Sequence, residues 1–376
     1  MHRTGKIGSR LAGMMLSALI GLGGLNMPAA RADDGPTLIV TSIQLNTWRD
    51  ETYWSSTAQK MLYDTSSWIP RMTFRVRGPV TGGSQFSVDF TRPNGSPWLQ
   101  LDCPTTETAT NSVVTLETPR DESDAGQKLF TNEIGVFGFK IKLKNELAGT
   151  NSVLFTGRFK VDKVGKSLGI PAMKNKYDYI VDHDWALPIG YVWFETKESL
   201  GMPMLRVSLW LKGQVDAEDV AGYVFYNGTQ IGSTKDSAGD LDEEEVVQTA
   251  SDDAGDPEWK LDAFGWNKIR MSHRLSGKSE PGDDQPENQP YFYLDKHPGN
   301  YEVKVLRAGH LVRDLQFAVG DDGKVVDTGI AAANNLATAR IVVPVKVIGT
   351  MDNPWNAEEY KTDAFFGNPL KGFVAP

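Results

Sequence analysis

From Tyr301 to Val319, apolar and polar residues alternate along two arms. Tyr301, Val303 and Val305 interleave with Glu302, Lys304 and Leu306, and Leu315, Phe317 and Val319 interleave with Asp314, Gln316 and Ala318. A period of two puts successive side chains on opposite faces of a strand, so each arm reads as a strand with one apolar face. Between the arms, Arg307-Ala308-Gly309-His310 supplies a tight turn whose glycine adopts positive φ without a Cβ clash. The pattern predicts a β-hairpin over 299–324. Arg313 falls on its apolar side; an unpaired buried guanidinium is costly, so a bulge or a sheet end is expected there.

The pattern occurs a second time upstream. Phe139, Ile141 and Leu143 alternate with Lys140, Lys142 and Lys144, and Phe155, Phe159 and Val161 follow. Phe159-x-Val161-x-x-x-Gly165-Lys166 matches Phe317-x-Val319-x-x-x-Gly323-Lys324 at an offset of 158, while the preceding arms align at 162, Phe139 with Tyr301. The difference falls in the hairpin loop, where added residues cost little closure entropy. A further match sets Asp64 to Pro70 beside Asp182 to Pro188 at a smaller offset. Together these predict a duplicated unit whose second copy carries roughly 40 extra residues.

Further strands are predicted at 38–46, 72–77, 85–91, 97–102, 112–117, 136–144 and 153–161, then at 177–182, 190–196, 204–212, 220–226, 229–232 and 339–348. A short helix capped by Ser56 is expected before Tyr63. Pro344 suggests that the last strand lies at a sheet edge. Short strands divided by turn clusters such as Arg92-Pro93-Asn94-Gly95-Ser96 argue an all-β chain of sandwich type. The strand pattern resembles the immunoglobulin-like sandwich, a resemblance that concerns fold only. The expected organisation is two tandem immunoglobulin-like β-sandwich domains at 33–165 and 177–350, a linker at 166–176, a polar acidic insertion at 233–290 in the second domain, and an aromatic tail at 351–376 that docks on a domain surface.

The start of the chain carries a pattern from which export is expected. Arg3, Lys6 and Arg10 precede an apolar run ending in Ala30-Arg31-Ala32, the pattern of a secretory signal over residues 1–32. Secretion, or residence in a periplasm, is expected, and no segment is long and apolar enough to read as a transmembrane helix. The single cysteine, Cys103, leaves stability to apolar cores rather than disulfides. The formal net charge of -9 becomes more negative once the basic leader is removed, which argues against nucleic acid as a partner.

The candidate chemistry is sparse. Trp48, Tyr53 and Trp54 form an aromatic group suited to stacking on sugar rings, or to packing in a core or seam. Asp236, Asp240, Asp242 and Glu244 supply the hard oxygen ligands that calcium prefers, although their spacing does not match a helix-flanked calcium loop and a solvated acidic loop is the alternative. The trio Asp182-His183-Asp184 cannot converge within a strand, and a surface cluster is expected. No catalytic residue and no cofactor other than calcium is indicated, and short enzyme signatures such as G-x-S-x-G and HExxH do not occur. The expected function is that of a non-enzymatic binding or surface-interaction protein with a protein or polysaccharide partner; the alternative is a polysaccharide-active enzyme or a carbohydrate-binding accessory protein.

Overall fold

The computed structural model describes residues 35–48, 53–55, 60–62, 67–119, 129–147, 149–165, 177–195, 203–212, 219–236, 239–247, 259–272, 291–336, 338–348, 360 and 364–373. The signal at 1–32, the linker at 166–176, and the stretches 248–258, 273–290 and 351–359 lie outside the described residues.

The chain is predominantly β and forms several sheets. In order come β1 (Thr37–Trp48), β2 (Tyr53–Ser55), β3 (Lys60–Leu62), β4 (Ile69–Arg77), β5 (Ser84–Thr91), β6 (Pro97–Cys103), β7 (Val113–Glu117), β8 (Gly135–Asn145), β9 (Thr150–Gly165) and β10 (Tyr177–Val181). One sheet has the order β1-β4-β7 and another the order β10-β9-β8-β5-β6. Their alternating apolar residues meet: Leu45, Met72, Phe74 and Leu116 from the first sheet share one buried cluster with Phe86, Phe137, Ile141 and Phe159 from the second. Strand β1 keeps this contact along its length only by way of a bulge between Ile39 and Gln44, braced by the Ser42 hydroxyl, which donates to Ile39 O and accepts from Arg75 N.

The chain then crosses through a single turn of helix, α1 (His183–Ala186), into β11 (Ile189–Glu195), β12 (Met204–Lys212), β13 (Val220–Tyr226), β14 (Thr229–Ser233), β15 (Gly239–Val247), β16 (Trp259–Arg270), β17 (Phe292–Tyr293), β18 (Gly299–Arg307), β19 (His310–Val319), α2 (Ile330–Ala333) and β20 (Ile341–Val347). These strands join one ten-stranded sheet of order β14-β13-β18-β19-β20-β11-β12-β16-β15, with β17 beside β16. Its two end strands are consecutive in the chain, and Trp266 Nε1 of β16 donates to Gly222 O of β13 at 3.2 Å, so the sheet curls nearly into a barrel. Leu205, Val207, Leu209, Phe264, Val303, Leu315 and Phe317 fill the interior as a second apolar cluster. Residues 35–376 form one compact unit. The first cluster draws on both halves, because Trp210, Trp259, Leu261 and Val342 of the ten-stranded sheet and Phe365 and Phe366 of the C-terminal segment pack into it.

The two hairpins correspond more closely in space than in the sequence match. Phe137 pairs with Phe159, their rings stacked at 5.6 Å, and Tyr301 pairs with Phe317, stacked at 5.2 Å. Each hairpin has a register shift four residues beyond its aromatic pair, at Ile141 and at Val305. The partner of Tyr301 in the first copy is therefore Phe137 and not Phe139, since Phe139 faces Gly157. Arg313 sits opposite Val305, at the bulge.

Three expectations differ from what forms. Residues 60–62 are extended and pair with 53–55 rather than lying in a helix; a two-turn helix is marginal by itself, and strand pairing prevails. The Ser56 cap lies outside the described residues. Strand β20 is interior, not at an edge: residues 345–347 pair with β19 while 341–344 pair with β11, and Pro344 stands where the strand changes partner, so its missing N–H breaks no ladder. Residues 239–247, within the stretch read as an inserted loop, form β15 and pair along β16.

Candidate functional site

A groove of about 670 Å³ runs over the exposed face of the five-stranded sheet. Because Phe90, Phe139 and Phe159 point into the core, the intervening residues face outward, and pairing aligns them in rows. One row is Thr91, Gly138 and Arg158, and the next is Asp89, Lys140 and Thr156. At Gly138 a Cβ would lie 2.5 Å from Thr91 Oγ1, so the floor is open there only as far as the Thr91 hydroxyl, which a side chain would displace. Beside the rows, Pro93, Gly95 and Pro97 of the β5–β6 turn join the lining, a turn tied by Gly95 N to Arg92 O at 2.8 Å and Arg92 N to Ser96 O at 2.9 Å.

Trp98 is the extra residue of a bulge between Phe90 and Thr91. Instead of standing in the outer row it packs edge-on to Trp68 at 5.3 Å, lies 5.5 Å from Phe137, and donates from Nε1 to Leu129 O. The Arg92 guanidinium lies 5.3 Å from its ring. Among the lining residues Arg92, Lys140 and Arg158 are cationic and Asp89 is the carboxylate, which Lys142 engages. Arg92 is in turn paired with Glu133, so Lys140 and Arg158 carry the groove's positive charge on a chain whose net charge is -9.

The acidic residues considered for calcium have a different setting. Asp240, Asp242 and Glu244 lie on alternate positions of β15 and meet guanidinium groups: Arg206 pairs with Asp240 at 2.7 Å, Asp242 at 3.0 Å and Glu195 at 2.8 Å, and Arg340 pairs with Glu244 at 2.7 Å. Arg206 is almost fully buried above Gly265, where a Cβ would fall 2.3 Å from both Arg206 Nη1 and Asp240 Oδ1. Asp236 is exposed in the turn before β15. Among the described residues there is no group of three or more His, Cys, Asp or Glu side chains that could hold a metal ion.

The trio at α1 is buried, not on the surface. Asp182 caps the turn by accepting from Trp185 N at 3.0 Å and is paired with Lys160 at 3.2 Å; Asp184 is paired with Arg313 at 2.7 Å. Arg313 also donates to the carbonyls of Trp210 and Val312. Lys160 also engages Asp162 at 2.7 Å, and the buried pairs together form a brace between β9, α1 and β19. Burial raises the Asp182 carboxyl, against the pull of Lys160, and raises that of Asp184 to about 6, against the pull of Arg313.

His183 stacks on Trp210 at 5.8 Å and meets Trp259 edge-on at 5.2 Å, and burial pushes its imidazole down to about 3. In the unfolded chain it titrates near 6.5, so between these values only the unfolded state takes up the proton. The neutral ring's contribution is complete above about pH 6.5 and is lost as pH falls toward 3. Urea titrations should show the stability of the wild type relative to His183→Gln shrinking as pH drops from 6.5 to 4. A difference that does not change with pH would mean that the imidazole is not buried in neutral form.

Trp48, of the proposed aromatic group, is half-buried, packs on Phe130 at 5.6 Å and borders the first apolar cluster. Tyr53 and Trp54 lie in β2, opposite Leu62 and Met61, and their side chains are outside the described residues. The sequence reading did not single out Trp98, Gly138 or Arg158. Only the turn at 92–96 signalled the groove, because the rows join residues from three strands far apart in the chain. No protein-family model matches the chain, and no curated protein matches it.

Proposed function

We propose that the chain is an exported, non-enzymatic binding protein whose ligand lies along the groove of the five-stranded sheet. Export rests on the leader pattern at 1–32. The observation that carries the reading is the lining itself: a preformed hollow of about 670 Å³ with an aromatic ring, a glycine floor and polar side chains at the fixed spacing of paired strands. Asp89 is the one carboxylate among the described lining residues, and glycoside cleavage ordinarily takes two flanking the bond, so this lining favours binding over hydrolysis.

A carbohydrate chain is the ligand we favour. Its hydroxyls suit Asp89, Gln100, Lys140 and Arg158, and its C–H faces suit Trp98. The excess of lining cations selects an acidic sugar, because exposed charges act within about 10 Å at 0.1 M salt and the net charge of the whole chain is screened beyond that. In finer architecture, the proposal includes two related immunoglobulin-like sandwich units at 33–165 and 177–350. The matching aromatic pairs and bulges of the two hairpins support it, as does the sandwich-like facing of opposite walls across one interior in the nearly closed sheet.

Isothermal titration with polygalacturonate and with a neutral glucan tests this reading. Polygalacturonate should bind, with affinity falling about tenfold or more, equivalent to 1.4 kcal/mol, in Lys140→Glu. Lys140 is exposed, so the variant should fold normally. Absence of binding by both polymers, or binding indifferent to Lys140→Glu, would sink the proposal.

A further inference from the structure

A second hollow, of about 260 Å³, lies where β1 and β4, the ten-stranded sheet and the C-terminal segment meet. Ile43, Leu187, Trp210, Leu261, Phe365 and Phe366 give it an apolar body. The β1 bulge brings Thr41, Ile43 and Gln44 into the lining together, and bulges commonly re-aim side chains in this way. Two polar groups mark it as more than a packing defect. His183 lines it at 2% exposure, and its Nδ1 is buried with no hydrogen-bond partner among the described residues. Buried polar atoms are nearly always satisfied, so such an atom beside a cavity points to a missing partner.

The other group is Arg75. It stands on the outward face of β4, and its guanidinium has no ion pair among the described residues, whereas Arg340, also in the lining, is held by Glu244. An unpaired guanidinium presents a fork that matches a carboxylate in a bidentate fashion.

We infer that this hollow is a binding site for a small monocarboxylate with an apolar body, its carboxylate on Arg75 and its hydrocarbon part against Trp210, Phe365 and Phe366, beside His183. Ligand pockets usually exceed about 300 Å³, so the occupant is a compact acid rather than a polymer or a long acyl chain. Neutral His183 offers one N–H donor and one lone pair, and contributes polarity without a second charge. The inference stands apart from the groove, with which this hollow shares no lining residue.

Titration of the full chain with benzoate and isovalerate, and with benzyl alcohol as the neutral counterpart of benzoate, tests the assignment. At least one acid should bind saturably and raise the melting midpoint, since a ligand of the native state stabilises it. Arg75→Gln, at an exposed position, should weaken the acid about tenfold or more while leaving benzyl alcohol unaffected. His183→Gln, whose fold is checked by its own melting curve, should weaken the acid as well. Failure of both acids to bind, or acid binding that Arg75→Gln leaves intact, would overturn the proposal.

Discussion

Arg313→Ala is expected to cost about 3–5 kcal/mol of stability, read as a drop in the urea midpoint at unchanged slope. The guanidinium is about as buried as the Asp184 carboxylate it meets at 2.7 Å, so its removal strands a carboxylate that is 4% exposed. Carbonyl oxygens of Trp210 and Val312 lose donors in the same step. The cost is mostly that of the orphaned charge and not the net worth of the pair. Arg313→Met combined with Asp184→Leu should therefore recover most of the loss, since an apolar pair of similar volume is often as stable as a buried ion pair. If the double variant is as unstable as Arg313→Ala, the brace contributes through its geometry rather than its charges.

Phe159→Ala and Phe317→Ala should each lose about 3–5 kcal/mol, through lost transfer energy and an unfilled cavity. Phe159 is fully buried, with the rings of Trp68, Phe90, Phe137 and Phe139 within 6.4 Å. Phe317 is 7% exposed and stacks on Tyr301 in the other cluster, so its loss should fall toward the lower end. The repeat pattern by itself predicts two unfolding transitions, moved one at a time. The packing predicts one, because Trp210, Trp259 and Leu261 of the second half and Phe365 of the C-terminal segment complete the cluster that holds Phe159. Calorimetry should find a single peak lowered by either change. Two peaks responding separately would show that the contacts crossing at α1 do not couple the halves.

Strand positions were legible in the sequence because a period of two is a local property. The strand expected at 204–212 spans Met204–Lys212, and that at 220–226 spans Val220–Tyr226. The hairpin expected over 299–324 forms as Gly299–Arg307 and His310–Val319. The bulge expected beside Arg313 forms, yet the guanidinium is buried all the same, and its charge is met by Asp184, a partner distant in the chain that no local pattern announces. The sequence also pointed to a docked C-terminal segment, and Phe365 and Phe366 are buried with Phe366 N bonded to Ala186 O.

What the amino-acid order determined by itself was therefore the all-β character, the faces of individual strands and the turns between them, all governed by neighbours one to four residues apart. Only the tertiary structure decided which strands became neighbours. It set the five-stranded sheet that assembles Thr91, Gly138 and Arg158 into one row from three separate strands. It also set the partner of each charge: an acidic run that reads as a solvated loop or an ion site becomes the counter-charge of Arg206 and Arg340, and Asp182-His183-Asp184 is withdrawn from solvent at a sheet crossing. The reason is that strand pairing is satisfied by backbone groups common to every residue. Partner choice is thus left to the fit of whole apolar faces and the pairing of the few charges trapped between them, neither of which a local pattern encodes.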